Sequence, residues 1–171
     1  MDKAVCFIGH RKIEDTTELR TTLAKTLADL IENQGIANFL FGDKSAFDSL
    51  CYDMVTEIQK EYPHIRRIKY RKDTPVLDEY SKPLFIKGYE DSICPEGVEK
   101  AGKASYIKRN QAMIDASEIC IFYYNEDYLP DKIKISKAAV NSYQPKSGTK
   151  IAFDYAMKQG KEIVNLCNLL E

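Results

Sequence analysis

The first apolar run of the chain is followed directly by three residues that could bind an anion, Gly9, His10 and Arg11. Glycine permits a tight backbone turn, the planar fork of an arginine guanidinium matches a phosphate, and histidine can form a hydrogen bond in either protonation state. The segment therefore predicts a phosphate-binding site at the end of a strand. The alternative is that His10 caps the edge of the sheet while Arg11 pairs with a surface carboxylate.

A second polar segment, which begins at Gly42, follows the next apolar run and enters a helical pattern. The N-terminus of a helix presents free N–H groups that attract anions, typically by about 0.3–1 kcal/mol per charge at exposed sites. Ser45 is expected either to bind such an anion or to serve only as the N-cap of the helix. Asp48 would either complement the helix dipole or reach a ribose hydroxyl.

Two further polar residues, Arg109 and Asn110, lie on a predicted helix whose apolar face must pack on the sheet. Because they are adjacent, they cannot both face the core. At least one of them should reach a ligand crevice or solvent. The alternative for Arg109 is a solvated surface cation.

The last polar segment consists of Ser147, Gly148 and Thr149, which open the final predicted helix. A small, glycine-containing turn at a helix start can surround a phosphate with backbone N–H donors, and the Thr149 hydroxyl can add another donor. The sequence is not a P-loop. Thr149 would also make a good cap with no ligand present.

Strand and helix patterns alternate along the chain, and they determine where these four segments meet. Short apolar runs predict five strands, at residues 4–8, 38–41, 65–70, 119–124 and 162–166. Strands that alternate with helices form right-handed crossovers and hence a parallel sheet. We therefore predict one α/β domain over residues 1–171, a Rossmann-like three-layer sandwich. Its mainly parallel sheet has about five strands, with helices on both faces.

The ligand crevice of such a sheet lies outside the carboxyl ends of the strands, where the strand order reverses. If the first strand is flanked by the second and the fourth, that point lies between Gly9 and Asn125. All four polar segments fall at predicted strand ends or helix starts on this edge, and their convergence predicts a ligand site. Two long loops, at about 71–103 and 126–146, break the pattern, and each is expected to be either a lid or a floppy insertion.

Composition restricts the classes of partner and the location. The formal net charge is −1, so no basic excess favours a polynucleotide. No segment approaches the ~20 apolar residues of a membrane span, and the N-terminus does not resemble a secretory signal. The five cysteines are widely spaced, without a CxxC pair or a nearby histidine. We therefore expect reduced thiols in a cytoplasmic protein, and no metal site.

An ordered set of motifs across nearly the whole chain resembles the SLOG superfamily (SMF/DprA and Lonely Guy-like), and most closely its YpsA-like group. The motifs are CFIGHR at residues 6–11, GDKSAFD at 42–48, PEG at 95–97, RNxxMIDxSE at 109–118, SGT at 147–149, YA at 155–156 and VNL at 164–166. The resemblance implies a Rossmann-like sheet that binds a nucleotide or a nucleotide-derived signal. It also implies a homodimer or higher homo-oligomer, with no cofactor beyond such a ligand.

The resemblance leaves enzymatic activity as an alternative. In the Lonely Guy phosphoribohydrolases, which split a base from a ribose phosphate, a catalytic arginine occupies the place of Arg109. Their catalytic glutamate corresponds to Ala152 here, so one of the two main catalytic groups is missing. Glu96 is the first candidate to replace it, ahead of Glu99 and Asp48.

The sequence therefore leaves three alternative hypotheses about function. The leading one is a sensor or regulatory module that binds a phosphorylated, nucleotide-type ligand. The second is an N-glycosidic hydrolase or transferase acting on nucleotides. The third is an interaction protein with a vestigial crevice, whose lysine-rich segment at 126–146 contacts a partner.

Overall fold

A computed structural model describes residues 2–42, 45–73, 83, 86–128 and 147–170 of the chain. The described residues form six strands, which are Lys3–Gly9 (β1), Ile36–Phe41 (β2), Arg66–Tyr70 (β3), Asp91–Ile93 (β4), Ile119–Tyr123 (β5) and Glu162–Asn165 (β6). They also form four α-helices, which are Thr17–Glu32 (α1), Ala46–Ile58 (α2), Ser105–Asp115 (α3) and Gly148–Lys158 (α4). Short 3₁₀ turns occupy Gly102–Ala104 and Leu166–Leu169.

The six strands form one sheet in the order β4-β3-β2-β1-β5-β6, and every neighbouring pair is parallel. The predicted Rossmann-like α/β sandwich is thereby confirmed. Because β1 lies between β2 and β5, the strand order reverses at the β1/β5 boundary. This is the position at which ligands bind in doubly wound sheets.

The sheet has one strand more than the sequence predicts. The additional strand, β4, lies within the predicted long loop at 71–103 and pairs with β3 at the sheet edge. It is three residues long, and two of the three are the polar Asp91 and Ser92, so it carries no apolar run. The rest of that loop is described except for residues 74–82 and 84–85, while residues 129–146 of the second loop lie outside the described part of the chain.

Two apolar layers cover the sheet, one on each face. Alternate residues of β1 serve the two layers, since Val5 and Phe7 pack with α1 and α2 while Cys6 and Ile8 pack with α3 and α4. This arrangement explains why residues 4–8 of β1 are apolar without interruption, as expected for a parallel strand buried on both faces. The helices thus fix the sheet from both sides and leave its carboxyl edge to the loops.

None of the helices in the described ranges is long and apolar enough to cross a membrane.

The helix α1 shows the predicted 3.6-residue period most clearly. All five of its buried residues are aliphatic, and they are Leu19, Leu23, Leu27, Leu30 and Ile31. Its N-cap is Thr16, whose hydroxyl accepts a hydrogen bond from the Leu19 N–H.

Candidate functional site

The segment after β1 is docked onto the start of α2. The backbone N–H of Ala46 donates a hydrogen bond to the carbonyl oxygen of Arg11 over 2.9 Å. Gly9 packs directly on the buried ring of Phe47, and a Cβ placed on Gly9 would lie 2.6 Å from the Phe47 Cβ. The first two predicted segments therefore meet, and the Arg11 side chain remains exposed at their junction.

His10 is a buried residue at the β1/β5 boundary, with only 2% of its surface exposed. Its Nε2 accepts a hydrogen bond from the backbone N–H of Asn125 over 2.9 Å. An accepting Nε2 assigns the proton of the neutral imidazole to Nδ1. Nδ1 is buried and has no hydrogen-bond partner among the described residues. Burial also lowers the pKa of His10, which favours the same neutral form.

A turn after β5 places an aromatic ring over this imidazole. The Tyr128 N–H donates to the Asn125 carbonyl, and the Tyr128 ring stacks on His10 with centroids 3.9 Å apart and planes inclined by 15°. The sequence did not indicate Tyr128, because it lies in a predicted loop with no periodicity. His10 is thus both a connection between the ends of β1 and β5 and a buried N–H donor beneath a tyrosine.

The N-terminus of α2 uses part of its hydrogen-bonding capacity within the protein. Ser45 is its N-cap, and the Ser45 Oγ accepts from the Asp48 N–H over 2.9 Å. The Ala46 N–H is bonded to Arg11, as described above. Two of the first-turn donors are therefore satisfied without a ligand, so the predicted anion site at this helix start has fewer donors to offer.

Arg109 reaches from α3 to the end of β2, and only 4% of its surface is exposed. Its guanidinium lies against Gly42, where a Cβ would come 2.8 Å from Nη2 and 3.1 Å from Cζ. Nη2 donates to the Asn110 Oδ1 over 3.1 Å, and Cζ lies 5.3 Å from the ring centre of Tyr106. Arg109 is therefore a buried cation at the carboxyl edge of the sheet and not a solvated surface residue.

The start of α4 is the fourth of the predicted polar segments at the carboxyl edge of the sheet. Ser147 caps this helix, since its Oγ accepts from the Lys150 N–H over 3.1 Å. Gly148 and Thr149 are the first two residues of the helix, and Thr149 is buried. The Lys150 Nζ lies 5.9 Å from the ring centre of Tyr124, whose ring is in turn 5.9 Å from that of His10. Tyr124 thereby lies between the start of α4 and His10 at the β1/β5 boundary.

The two residues expected to carry catalysis are Arg109 and Glu96. Glu96 is exposed in the turn that follows β4, whereas Arg109 is buried on α3. Ala152, which the resemblance to the hydrolases places at their glutamate position, is buried in the apolar layer that also contains Met113 and Phe122.

A cavity of about 280 Å³ lies beside this edge and was not expected from the sequence. Its lining includes Gly42, Asp48, Tyr52, Asp53, Lys69 and Tyr89. Two of these residues carry a signal that sequence reasoning could have used, since Tyr52 is four positions beyond Asp48 on the same helix and Lys69 is next to the end of β3. Tyr89 gives no such signal, because no period or apolar run includes it.

The described ranges contain all five cysteines of the chain and were also searched for clusters of metal-ligating side chains. No group of three or more histidine, cysteine, aspartate or glutamate side chains with the geometry of a metal site occurs there. All five cysteines are unpaired thiols, and Cys6, Cys51 and Cys120 are buried. Burial raises the pKa of Cys6 and of Cys51, so both are held as neutral thiols.

The sequence matches none of the protein-family models with which it was compared, and it matches no curated protein. Its membership of the SLOG superfamily therefore stays a prediction from the motifs. The structure gives the described parts of four of these motifs a common place, because residues 9–11, 42, 45–48, 109–110 and 147–149 all lie around the carboxyl edge of one parallel sheet.

Proposed function

We propose that the protein binds a phosphorylated nucleotide, or a nucleotide-derived ligand, at the carboxyl edge of its sheet, as a sensor or regulatory protein of the SLOG superfamily. A homo-oligomeric state and a cytoplasmic location belong to the same proposal. The observation that carries it is the buried guanidinium of Arg109 against Gly42, next to the point of strand-order reversal. A guanidinium held in a water-poor position is a strong and pre-organised donor for phosphate.

The surrounding groups support binding of one anion at this edge. Arg11 is exposed beside the start of α2, and the Gly148 and Thr149 N–H groups stand in the first turn of α4. The His10 Nδ1–H is a further buried donor, beneath the Tyr128 ring, without a partner among the described residues. Each group is a hydrogen-bond donor, so together they favour a ligand that is rich in acceptors.

Binding is preferred to N-glycosidic hydrolysis because of Ala152. The hydrolysis of a base from a ribose phosphate requires a carboxylate to stabilise the developing positive charge. The position that would supply it is an alanine within an apolar layer, and Glu96 is exposed in a turn after β4. The interaction-protein alternative depends on residues 126–146, of which only 126–128 are described, so no observation favours it.

The test is a titration of the purified protein with a panel of nucleoside mono-, di- and triphosphates, combined with mass spectrometry of small molecules released on denaturation. We expect at least one phosphorylated compound to bind. Arg109→Lys, which keeps the charge but loses the planar fork, should weaken that binding by about tenfold or more. Arg11→Ala should also weaken it, and because Arg11 is exposed this variant should fold normally.

The matched control is Arg66→Ala, which removes an exposed arginine that is paired with Asp91 and is the first residue of β3, at the opposite, amino edge of the parallel sheet. It should leave the affinity unchanged. The proposal is wrong if no compound of the panel binds and the purified protein releases none, or if both Arg109→Lys and Arg11→Ala bind as the wild type does.

A further inference from the structure

The cavity beside Gly42 has the size and the walls of a site for one flat ring system. It lies between the first half of α2 and the residues that precede β4, over the carboxyl ends of β2 and β3. Its volume of about 280 Å³ is just below the range for small-molecule sites, which is roughly 300–1,000 Å³. The cavity therefore suits part of a ligand better than the whole of one.

Three aromatic rings form an apolar wall of this cavity. The Tyr52 and Tyr89 ring centroids are 5.1 Å apart, and Phe41 lies 5.6 Å from Tyr52 and 6.2 Å from Tyr89. The Tyr52 hydroxyl donates to the Gly88 carbonyl oxygen over 2.6 Å, which fixes its ring. A planar aromatic group can stack or pack edge-on against such rings.

The charged side chains that line the cavity are two carboxylates and one lysine, and the hydroxyl of Ser49 lies beside them. Asp48 and Asp53 project from α2, with Asp48 half-buried and Asp53 exposed at the rim. Lys69 lies on β3, and its Nζ is 5.6 Å from the Tyr89 ring centre. The three charges sum to −1, which disfavours a phosphate inside the cavity. They favour an uncharged ring that offers N–H donors to the carboxylates and an acceptor to Lys69.

Guanine has this pattern of donors and acceptors. Its N1–H and 2-amino groups are adjacent donors that one carboxylate can accept together, while O6 and N7 accept from a lysine. Adenine has a single amino donor on that edge and presents ring nitrogens that a carboxylate repels. A site whose carboxylate accepts two adjacent N–H groups of a ligand rejects a compound that lacks them. The carboxylate would then be left without these hydrogen-bond partners.

We propose that this cavity is the base-binding part of the ligand site and that it selects guanine over adenine. The inference rests on the proposed function, because it requires a phosphate at the adjacent edge. Gly42 links the two parts, since it lines the cavity on one side and contacts the Arg109 guanidinium. A guanine nucleotide would thus place its phosphate toward Arg109 and its base between α2 and Lys69.

The experiment compares four compounds by calorimetry, which are GMP, IMP, AMP and ribose 5-phosphate. GMP should bind about tenfold to a hundredfold more tightly than AMP. IMP, which keeps N1–H and O6 but lacks the 2-amino group, should lie between them. Ribose 5-phosphate should bind most weakly, because it lacks a base altogether.

Two variants test whether the preference for GMP over AMP depends on this cavity. Asp53→Asn and Lys69→Met should each reduce the ratio of GMP to AMP affinity by about fivefold or more, while leaving the affinity for ribose 5-phosphate unchanged. Glu57→Gln is the matched control. It removes an exposed carboxylate one turn further along the same helix, outside the cavity, and should leave the ratio as in the wild type.

The outcomes separate this inference from the proposed function. If ribose 5-phosphate or AMP binds as tightly as GMP, or if both cavity variants keep the wild-type ratio, the guanine site is wrong while phosphate binding at the edge stands. If none of the four compounds binds, and the broader panel also fails, both proposals are overturned. A GMP preference that Asp53→Asn or Lys69→Met reduces, and that Glu57→Gln does not, supports the inference.

Discussion

The guanidinium of Arg109 and the backbone of Gly42 are in such close contact that no side chain fits between them. A Cβ on Gly42 would lie 2.8 Å from Nη2 of Arg109, a separation that real Cβ atoms do not tolerate. The contact joins α3 on one face of the sheet to the end of β2, which leads into α2 on the other face. Glycine at position 42 is therefore what allows a buried cation to reach the edge where the four polar segments meet.

Gly42→Ala should weaken ligand binding and lower stability together. The added methyl group must displace the guanidinium from a buried position, and overpacking of this kind costs about 1–3 kcal/mol. Urea denaturation measures the loss of stability, and calorimetry with the tightest compound of the nucleotide panel measures the loss of affinity. Gly148→Ala is the stability control, because a Cβ there meets no atom within 4 Å. Equal midpoints for Gly42→Ala and the wild type would contradict the close contact.

Gly9→Ala should destabilise the protein through a clash with Phe47. The Phe47 ring is fully buried, and a Cβ on Gly9 would lie only 2.6 Å from the Phe47 Cβ. We expect a loss of about 1–3 kcal/mol in the free energy of unfolding, measured in urea.

A second substitution tests whether the ring is the cause. If Gly9→Ala acts by colliding with Phe47, it should cost less in a Phe47→Leu background than in the wild type, because leucine places fewer atoms at that position. Purely additive effects of the two substitutions would show that the clash is not the source of the loss.

The parts of the fold that the sequence predicts are those with long periodic patterns. The leucines of α1 and the apolar run of β1 each bury a continuous surface, so their types are readable from spacing alone. β4 has no such pattern, since two of its three residues are polar and its place in the sheet is defined by its pairing with β3. Short edge strands of this kind are set by tertiary contacts and not by their own residues.

The residues of the candidate site also divide into those that the sequence predicts and those that it does not. The positions of Gly9, Gly42 and Ser147 were predictable because each ends a strand or starts a helix. The burial of Arg109 was not, because adjacent residues on a helix give no indication of which one faces the core. The cavity of Tyr52, Lys69 and Tyr89 joins three elements that are distant in sequence, and only the sheet order brings them together.

Glu90 should contribute to stability above acidic pH. Burial raises its pKa, but hydrogen bonds from the Arg67 guanidinium and backbone N–H outweigh this and lower the pKa from 4.5 to about 2. A depressed carboxyl pKa gives stability that is complete above the unfolded value and is lost as the pH falls from 4.5 toward 2. Glu90→Gln should therefore reduce the free energy of unfolding at pH 7 by about 1–3 kcal/mol.

The pH profile distinguishes this ion pair from a general effect of lost charge. Between pH 5 and pH 3 the wild type should lose stability more steeply than Glu90→Gln. The control Glu57→Gln removes an exposed ion pair with Lys60, and such pairs are worth about 0–1 kcal/mol. Its profile should parallel that of the wild type. A Glu90→Gln profile parallel to the wild type would refute the assignment.

His10 should make the β1/β5 connection sensitive to mildly acidic pH. Burial lowers its pKa from the ordinary value of 6.5, so the folded protein binds the proton less readily than the unfolded chain. The contribution to stability is then fully present above pH 6.5 and is lost as the pH falls below it. A proton on Nε2 would also remove the acceptor for the Asn125 N–H.

His10→Gln is the variant that isolates this effect. A glutamine Oε1 accepts a hydrogen bond at every pH, so the variant should lose less stability than the wild type between pH 8 and pH 5.5, even if it is less stable at pH 8. The free energy of unfolding in urea, measured at several pH values in this window, gives the comparison. His64→Gln changes the other histidine of the chain, which is exposed, and should keep the wild-type slope. Equal slopes for all three proteins would mean that His10 does not titrate against folding, and that its buried imidazole tolerates the second proton.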